Sequence, residues 1–340
     1  VDDTHPDLTG QVIGGYDSWQ DGGDGTTDTL GHGTAMASLI AGHGHGEGNG
    51  DGILGVAPKA KILSVGAMPP GDEAFKDIDA LADGIRWLAD NGADVIMLAY
   101  GNDQQYDSEE AAIQYAAVDK NVPVIAPSGN AVKPTKYFGN YQGLLAEYPG
   151  AYDECLTVSG STEDGEPSEI AIHDPKVMVA APLDDVYQAL PDAKYTNEGN
   201  GTSDSAAIVA GAMALVRSSH PDLTRKQLAW QLTETADGKG GTVPNDDYGY
   251  GIVDPAKAVG PLADGMPEDI TAADPLNDHA EPGTTEANGR NETDTTLSAA
   301  ATISPTTWWL VAGTAVLLTA ALLAVLRISK KRSRPRFDLQ

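Results

Sequence analysis

Three short segments of the chain hold side chains that can move protons and stabilise charge. The first is Gly201-Thr202-Ser203, followed by the small-residue helical stretch Ala206-Ala207-Ile208-Val209-Ala210-Gly211. Glycine lets the backbone turn sharply. A helix start offers free N–H groups and positive potential, which favour an oxyanion. A serine between the two can be a nucleophile, although glycine, threonine and serine are also ordinary loop and N-cap residues. The second segment is Gly31-His32-Gly33-Thr34, directly before a helical stretch of small and apolar residues at 35–42. A histidine at a helix mouth, flanked by glycines, is placed to meet a ligand rather than to pack. The third is Ser128-Gly129-Asn130, which follows the apolar run Val122-Pro123-Val124-Ile125-Ala126.

These segments need a frame. Apolar runs at 94–99 and 122–126 read as buried strands, with further strands at 11–15, 61–66, 156–159 and 177–180. Ile78, Leu81, Ile85 and Leu88 recur at helical spacing, and Gly92 stops that helix. Residues 109–119 and 203–219 read as helices, and Thr224 with Gln227 forms a capping box for another, to about residue 237. Strands alternate with helices and several strands are continuously apolar, the pattern of a parallel sheet covered by helices on both faces. Ligands bind such sheets beyond the carboxyl ends of the strands. Asn130 follows its strand there, and His32 and Ser203 start helices that can face the same crevice.

The chain has 340 residues and a formal charge of −29, which sets nucleic acid aside as a partner. The lone cysteine, Cys155, excludes an internal disulfide and reads as a buried strand residue. His43-Gly44-His45-Gly46-Glu47 has metal-ligand residue types, but its glycines argue for a solvated loop. Residues 262–305 are rich in Asp, Glu, Thr, Pro, Ala and Asn and read as an acidic disordered stalk. Residues 308–326 carry no charge, so a transmembrane helix is expected at 306–327. The basic tail at 328–340 places the C-terminus in the cytoplasm and the preceding domain, 1–261, outside.

Taken together, the motifs resemble those of the subtilisin-like serine proteases (subtilases), in order and content over about residues 1–259. Gly31-His32-Gly33-Thr34 looks like the segment of the general-base histidine, and Gly201-Thr202-Ser203 like that of the nucleophile. Ser128-Gly129-Asn130 is similar to the segment of the oxyanion-hole asparagine. Ala99-Tyr100-Gly101 stands where a substrate-binding strand and the wall of the S1 pocket are expected. Gly55-Val56-Ala57-Pro58 and the closing stretch from Tyr248 to Asp254 also resemble family signatures. The resemblance implies a three-layer α/β fold and hydrolysis of polypeptides by Ser203 and His32, with Asn130 holding the oxyanion. It requires no cofactor. Calcium is common in the family, and Asp21, Asp24 and Asp28 could bind it, but their spacing fits no EF-hand loop. An anchor behind an acidic stalk further resembles the mycosins, subtilases of type VII secretion, and implies the cytoplasmic membrane and secretion-system proteins as partners.

Two departures stand out. Subtilases carry a catalytic aspartate shortly before a His-Pro-Asp-Leu-like stretch. Here that stretch is His5-Pro6-Asp7-Leu8, the aspartate's slot falls before Val1, and Asp2 and Asp3 fall after it. The expectation is a truncated protease, weakly active or inactive as written, with a natural non-catalytic scaffold as the alternative. The second departure is Asp204, beside the nucleophile, which either weakens the field of the helix terminus or points to solvent.

Overall fold

The computed structural model describes residues 1–18, 22–67, 78–131, 145–239 and 241–266. The expected stalk, membrane span and basic tail lie outside them, apart from residues 262–266. Among the described residues no helix is long and apolar enough to cross a membrane.

Four strands form a parallel sheet in the order β5 (Ile96–Met97), β6 (Val124–Pro127), β7 (Cys155–Ser161), β8 (Val177–Pro182). Side chains alternate across it. Ile125, Leu156, Val158 and Val179 join one cluster with α4 (Thr202–Ser219), α5 (Arg225–Glu234) and α6 (Pro255–Ala258). Val124, Ala126 and Cys155 point the other way, into a cluster with α2 (Ile78–Asp90) and α3 (Asp107–Gln114). This is the expected helix–sheet–helix sandwich, and both faces of β6 and β7 are buried. The capping box of Thr224 and Gln227 is present at the start of α5.

A second pair of parallel strands, β1 (Val12–Asp17) and β4 (Ile62–Gly66), stands apart from the four-stranded sheet. A cavity of about 850 Å³ is lined by Ile62–Val65 of β4, by residues 96–99 at the β5 edge and by His32. Each of these strands therefore has a ladder on one side only. That explains why β5 holds two residues where the apolar run predicts six.

The reading of residues 43–47 as a solvated loop is corrected. His43–His45 is strand β2, paired with β3 (Asp51–Leu54). The hairpin is held by Asp7, which is fully buried and accepts from His45 Nδ1 at 2.6 Å, Ile53 N–H at 2.8 Å and Tyr195 Oη–H at 2.8 Å. Tyr195 belongs to β10 (Lys194–Gly199), which pairs with β9 (Val186–Leu190). One carboxylate thus ties three distant segments together. Helix α1 (His32–Ala41) rests on this side, packed with Ile53, Ala189 and Ala207.

Candidate active site

Ser203 sits in the first turn of α4, after Gly201, whose extended backbone (φ −156°) serves as the N-cap without a side-chain bond. The space beside Gly201 is the centre of the site. A Cβ on Gly201 would lie 3.2 Å from Ser203 Oγ and 3.7 Å from Asn130 Nδ2, so both side chains border the same opening. The direction of the Asn130 amide is set by its neighbour. Its Oδ1 accepts from Thr202 N–H at 2.9 Å and from the Thr202 hydroxyl at 3.1 Å. A backbone N–H can only donate, so the atom that meets Thr202 is the oxygen, and Nδ2 is left as the donor at 3.7 Å from the Gly201 Cβ position, with Oδ1 at 3.8 Å. Thr202 Oγ1 in turn accepts from Gly129 N–H at 3.2 Å. Thr202 carried no expectation beyond the Gly-Thr-Ser motif, yet it connects the end of β6 to the start of α4.

His32 opens α1, and Gly31 before it has φ +85°, a conformation that suits glycine. The helix start is capped by Asp28, whose carboxylate accepts from Gly31 N–H at 2.7 Å, Thr34 N–H at 2.8 Å and the Thr34 hydroxyl at 2.7 Å. Burial pushes the Asp28 carboxyl up, but the bonds from Thr34 and Gly31 outweigh it and hold the carboxyl below its ordinary range. His32 itself is exposed, and its Nε2 lies 3.1 Å from the carbonyl oxygen of Ala99. A carbonyl only accepts, so Nε2 carries the proton in this contact. The structure thus brings His32 to the Ala99–Gly101 segment. Among the described residues no hydrogen bond joins His32 to Ser203.

Within that segment the three residues face different ways. Ala99 meets His32. Tyr100 turns inward, and its hydroxyl donates to Glu109 Oε1 on α3 at 2.7 Å. Glu109 is fully buried, and its Oε2 lies 2.9 Å from the Tyr152 hydroxyl. Gly101 faces Glu147, and a Cβ on Gly101 would collide with that carboxylate. Glu147 lies in no motif of the sequence, so only the fold brings it here.

Asp204 neither points to solvent nor lacks a partner. It is 3% exposed, and its carboxylate accepts from Gly201 N–H. Burial pushes its pKa up to about 6 against that hydrogen bond. Of the acids considered for calcium, Asp28 caps α1, Asp24 bonds Thr26 at 2.7 Å, and Asp21 lies outside the described residues. Among the described residues no group of three or more metal-ligating side chains converges.

Residues 1–251 match the model of the subtilase family of peptidases. The chain is 31% identical over 231 residues to the major intracellular serine protease of Bacillus subtilis, covering 67% of this chain and 69% of that protein. It is 31% identical to Mycosin-3 of Mycobacterium tuberculosis, over 69% of this chain and 61% of that one. The solved structure of the MycP3 protease from the type VII (ESX-3) secretion system superposes with a TM-score of 0.63 at 31% identity, covering 75% of this chain and 79% of that one. A chain of the periplasmic assembly from the ESX-5 inner membrane complex gives 0.65 at 26% identity, over 86% and 82%. With these matches the chain belongs to the subtilase family.

Proposed function

We propose that the chain is a serine endopeptidase in which Ser203 is the nucleophile and His32 the general base. A serine hydroxyl attacks a peptide carbonyl only as a base removes its proton. His32 would take that proton and return it to the leaving amine. The negative charge on the former carbonyl oxygen would be held by Asn130 Nδ2 and the Ser203 N–H at the start of α4. The substrate would lie extended along the backbone of Ala99, Tyr100 and Gly101, as an added strand. The observation that carries this reading is the Asn130 amide, whose oxygen is held by Thr202 and whose nitrogen is left to donate beside Ser203. Catalysis further requires His32 Nε2 to leave the Ala99 carbonyl and reach Ser203.

The likeness to mycosins, together with the apolar stretch at 306–327 and the basic residues after it, supports a setting outside the cytoplasmic membrane, tethered to it. Chains of a type VII inner membrane complex share the fold, which supports secretion-system proteins as partners. A fluorophosphonate probe should label the full chain, and Ser203→Ala should abolish the label. Equal labelling of that variant removes Ser203 from the mechanism.

One observation favours a second reading, a non-catalytic module that holds partners through the same fold. His32 Nε2 is engaged by Ala99 rather than by Ser203. A chain that the probe leaves unlabelled while it still binds peptides would support that reading over the first.

A further inference from the structure

Glu109 is an acid buried without a cation. It lies in the first turn of α3 and is fully buried. Its carboxyl meets tyrosines from two other segments. Tyr100 Oη is 2.7 Å from Oε1, and Tyr152 Oη is 2.9 Å from Oε2. Tyr152 Oη is also 3.2 Å from the carbonyl oxygen of Tyr106, the N-cap of α3, and accepts from the Tyr106 N–H at 3.0 Å.

A tyrosine hydroxyl carries one proton, and a carbonyl oxygen can only accept. The Tyr152 proton is therefore taken by Tyr106 O, and the contact between Tyr152 Oη and Glu109 Oε2 needs a proton from Glu109. One arrangement satisfies every contact. Tyr100 donates to Oε1, Oε2–H donates to Tyr152, and Tyr152 donates to Tyr106 O while it accepts the Tyr106 N–H. A carboxylate would leave one of the two oxygens around Tyr152 without a proton.

The surroundings agree. The titratable groups that face Glu109 are Tyr100, Tyr152 and the Cys155 thiol, itself pushed well up by burial, and among the described residues no cation pairs with the carboxyl. Beyond these, Glu110 acts on Tyr152, and Glu154, Arg225 and Lys176 act on Cys155. Burial pushes the Glu109 carboxyl up, and its bonds with Tyr100 and Tyr152 do not offset that. A buried acid without a cation keeps its proton rather than bear the cost of a desolvated charge.

We infer that Glu109 is a positioning residue, held as a neutral carboxylic acid, which fixes the Ala99–Gly101 backbone through the Tyr100 hydroxyl. That this segment receives an extended substrate rests on the peptidase reading, whereas the proton and the anchoring do not. Glu109→Gln copies the neutral acid: its Oε1 accepts from Tyr100 and its Nε2–H donates to Tyr152. Glu109→Ala copies neither bond.

Three measurements on the full chain test this. In the first, urea unfolding of the native chain and of Glu109→Gln is followed from about pH 4 to about pH 8. An acid that stays protonated in the fold above its unfolded value of about 4.3 costs the native chain stability as pH rises between the two values. The folding equilibrium of Glu109→Gln should thus gain on the native one by up to about tenfold per pH unit in that window. A gap that is constant with pH, or that moves in favour of the native chain, overturns the inference. In the second, hydrogen exchange over residues 98–102 is read by mass spectrometry. Glu109→Ala and Tyr100→Phe should exchange up to about tenfold faster there, the scale of one lost hydrogen bond, while Glu109→Gln keeps the native rate. Should Glu109→Ala fail to fold, Tyr100→Phe decides. Native rates in Tyr100→Phe, faster exchange in Glu109→Gln, or an increase spread evenly over the domain overturns the anchoring. In the third, casein is the substrate, and Glu109→Ala should raise KM more than it lowers kcat, with Glu109→Gln restoring both. A change in kcat alone overturns the positioning role. A native chain that takes no fluorophosphonate label and leaves casein intact sinks the peptidase reading alone, and the first two measurements then decide the place of Glu109.

Discussion

Asp7 offers the sharpest test of how this domain is held together. It is fully buried and accepts three hydrogen bonds, two from the β2–β3 hairpin and one from β10, both remote from it in sequence. In Asp7→Ala, Ile53 N–H loses its acceptor in the interior, and His45 and Tyr195 lose theirs. A buried N–H without a partner costs about 1–3 kcal/mol, and a bond to a charged group contributes about 1.5–3 kcal/mol. Breaking one side of a buried charged network costs about 3–5 kcal/mol, so about 4 kcal/mol is expected here. For a domain of this size that corresponds to a fall in Tm of about 8–16 °C, at ~2–4 °C per kcal/mol. Asp7→Asn separates charge from hydrogen bonding. Ile53 and Tyr195 both bond Oδ2, and an amide oxygen can replace it, while the amide nitrogen meets His45 Nδ1, which can accept in its other tautomer. That variant should lose only about 1–2 kcal/mol, the charge-assisted part.

Burial pushes the Asp7 carboxyl up, but the bonds from His45, Ile53 and Tyr195 outweigh it and lower its pKa. Its ionic contribution is thus present above the unfolded value of about 3.9 and is lost as pH falls through the lowered folded value. The gap between wild type and Asp7→Asn should close below about pH 4. Urea unfolding at pH 7 and at about pH 2, followed by tryptophan fluorescence, reads all of this. A loss below about 1 kcal/mol for Asp7→Ala, or equal losses for the two variants, would refute the picture of one carboxylate tying three segments.

Two further variants probe the start of α4. Asp204 is the opposite case to Asp7: its folded pKa is raised to about 6, so its ionised form costs stability above that pH, and the penalty disappears below the unfolded value. Asp204→Asn keeps an acceptor for Gly201 N–H and should gain about 2–3 kcal/mol at pH 8 with little change at pH 4, by urea unfolding; no gain at pH 8 means that the carboxylate is not held in a desolvated place. Thr202→Val leaves Gly129 N–H without an acceptor and Asn130 Oδ1 with one donor instead of two, so it should cost about 1–3 kcal/mol of stability and slow fluorophosphonate labelling about tenfold. An unchanged labelling rate would show that Thr202 does not aim the Asn130 amide.

What could be read from the sequence follows from how local the cause is. The run at 122–126 is apolar on both faces, as a strand between two helix layers requires, and β6 is such a strand; the run at 177–180 is the buried strand β8. The helix starts at His32 and Thr202 lie at the glycines, and the Thr224–Gln227 cap forms within four residues of chain. The causes that act across the fold were not legible. His43–His45 is a strand because Asp7, about 38 residues earlier, supplies a buried acceptor to its hairpin. The run at 94–99 is ordered as a strand over only two residues because one of its edges faces the cavity rather than a partner. Glu147 could not be recognised at all. Its neighbours Tyr148 and Pro149 carry no catalytic signature, and its place beside Gly101 and Gly129, which are 46 and 18 residues away in the chain, is set by the fold alone.

The site is built in two halves with different degrees of order. Hydrogen bonds tie Asn130 and Gly129 to Thr202, Ser128 to Glu147, and Tyr148 to Asn102, so the end of β6 is fastened both to the start of α4 and to the segment at 147–148. Nothing in that half depends on His32. His32 stands on α1, beside the cavity, and its one hydrogen bond among the described residues is to the carbonyl of Ala99. In the proposed mechanism the oxyanion donor is therefore preorganised, while the group that would move the proton is not. Recognition should accordingly survive changes that stop the chemistry. Substitution of His32 would leave the Asn130 amide in place, whereas loss of Thr202 would remove hydrogen bonds from both Asn130 Oδ1 and Gly129 N–H.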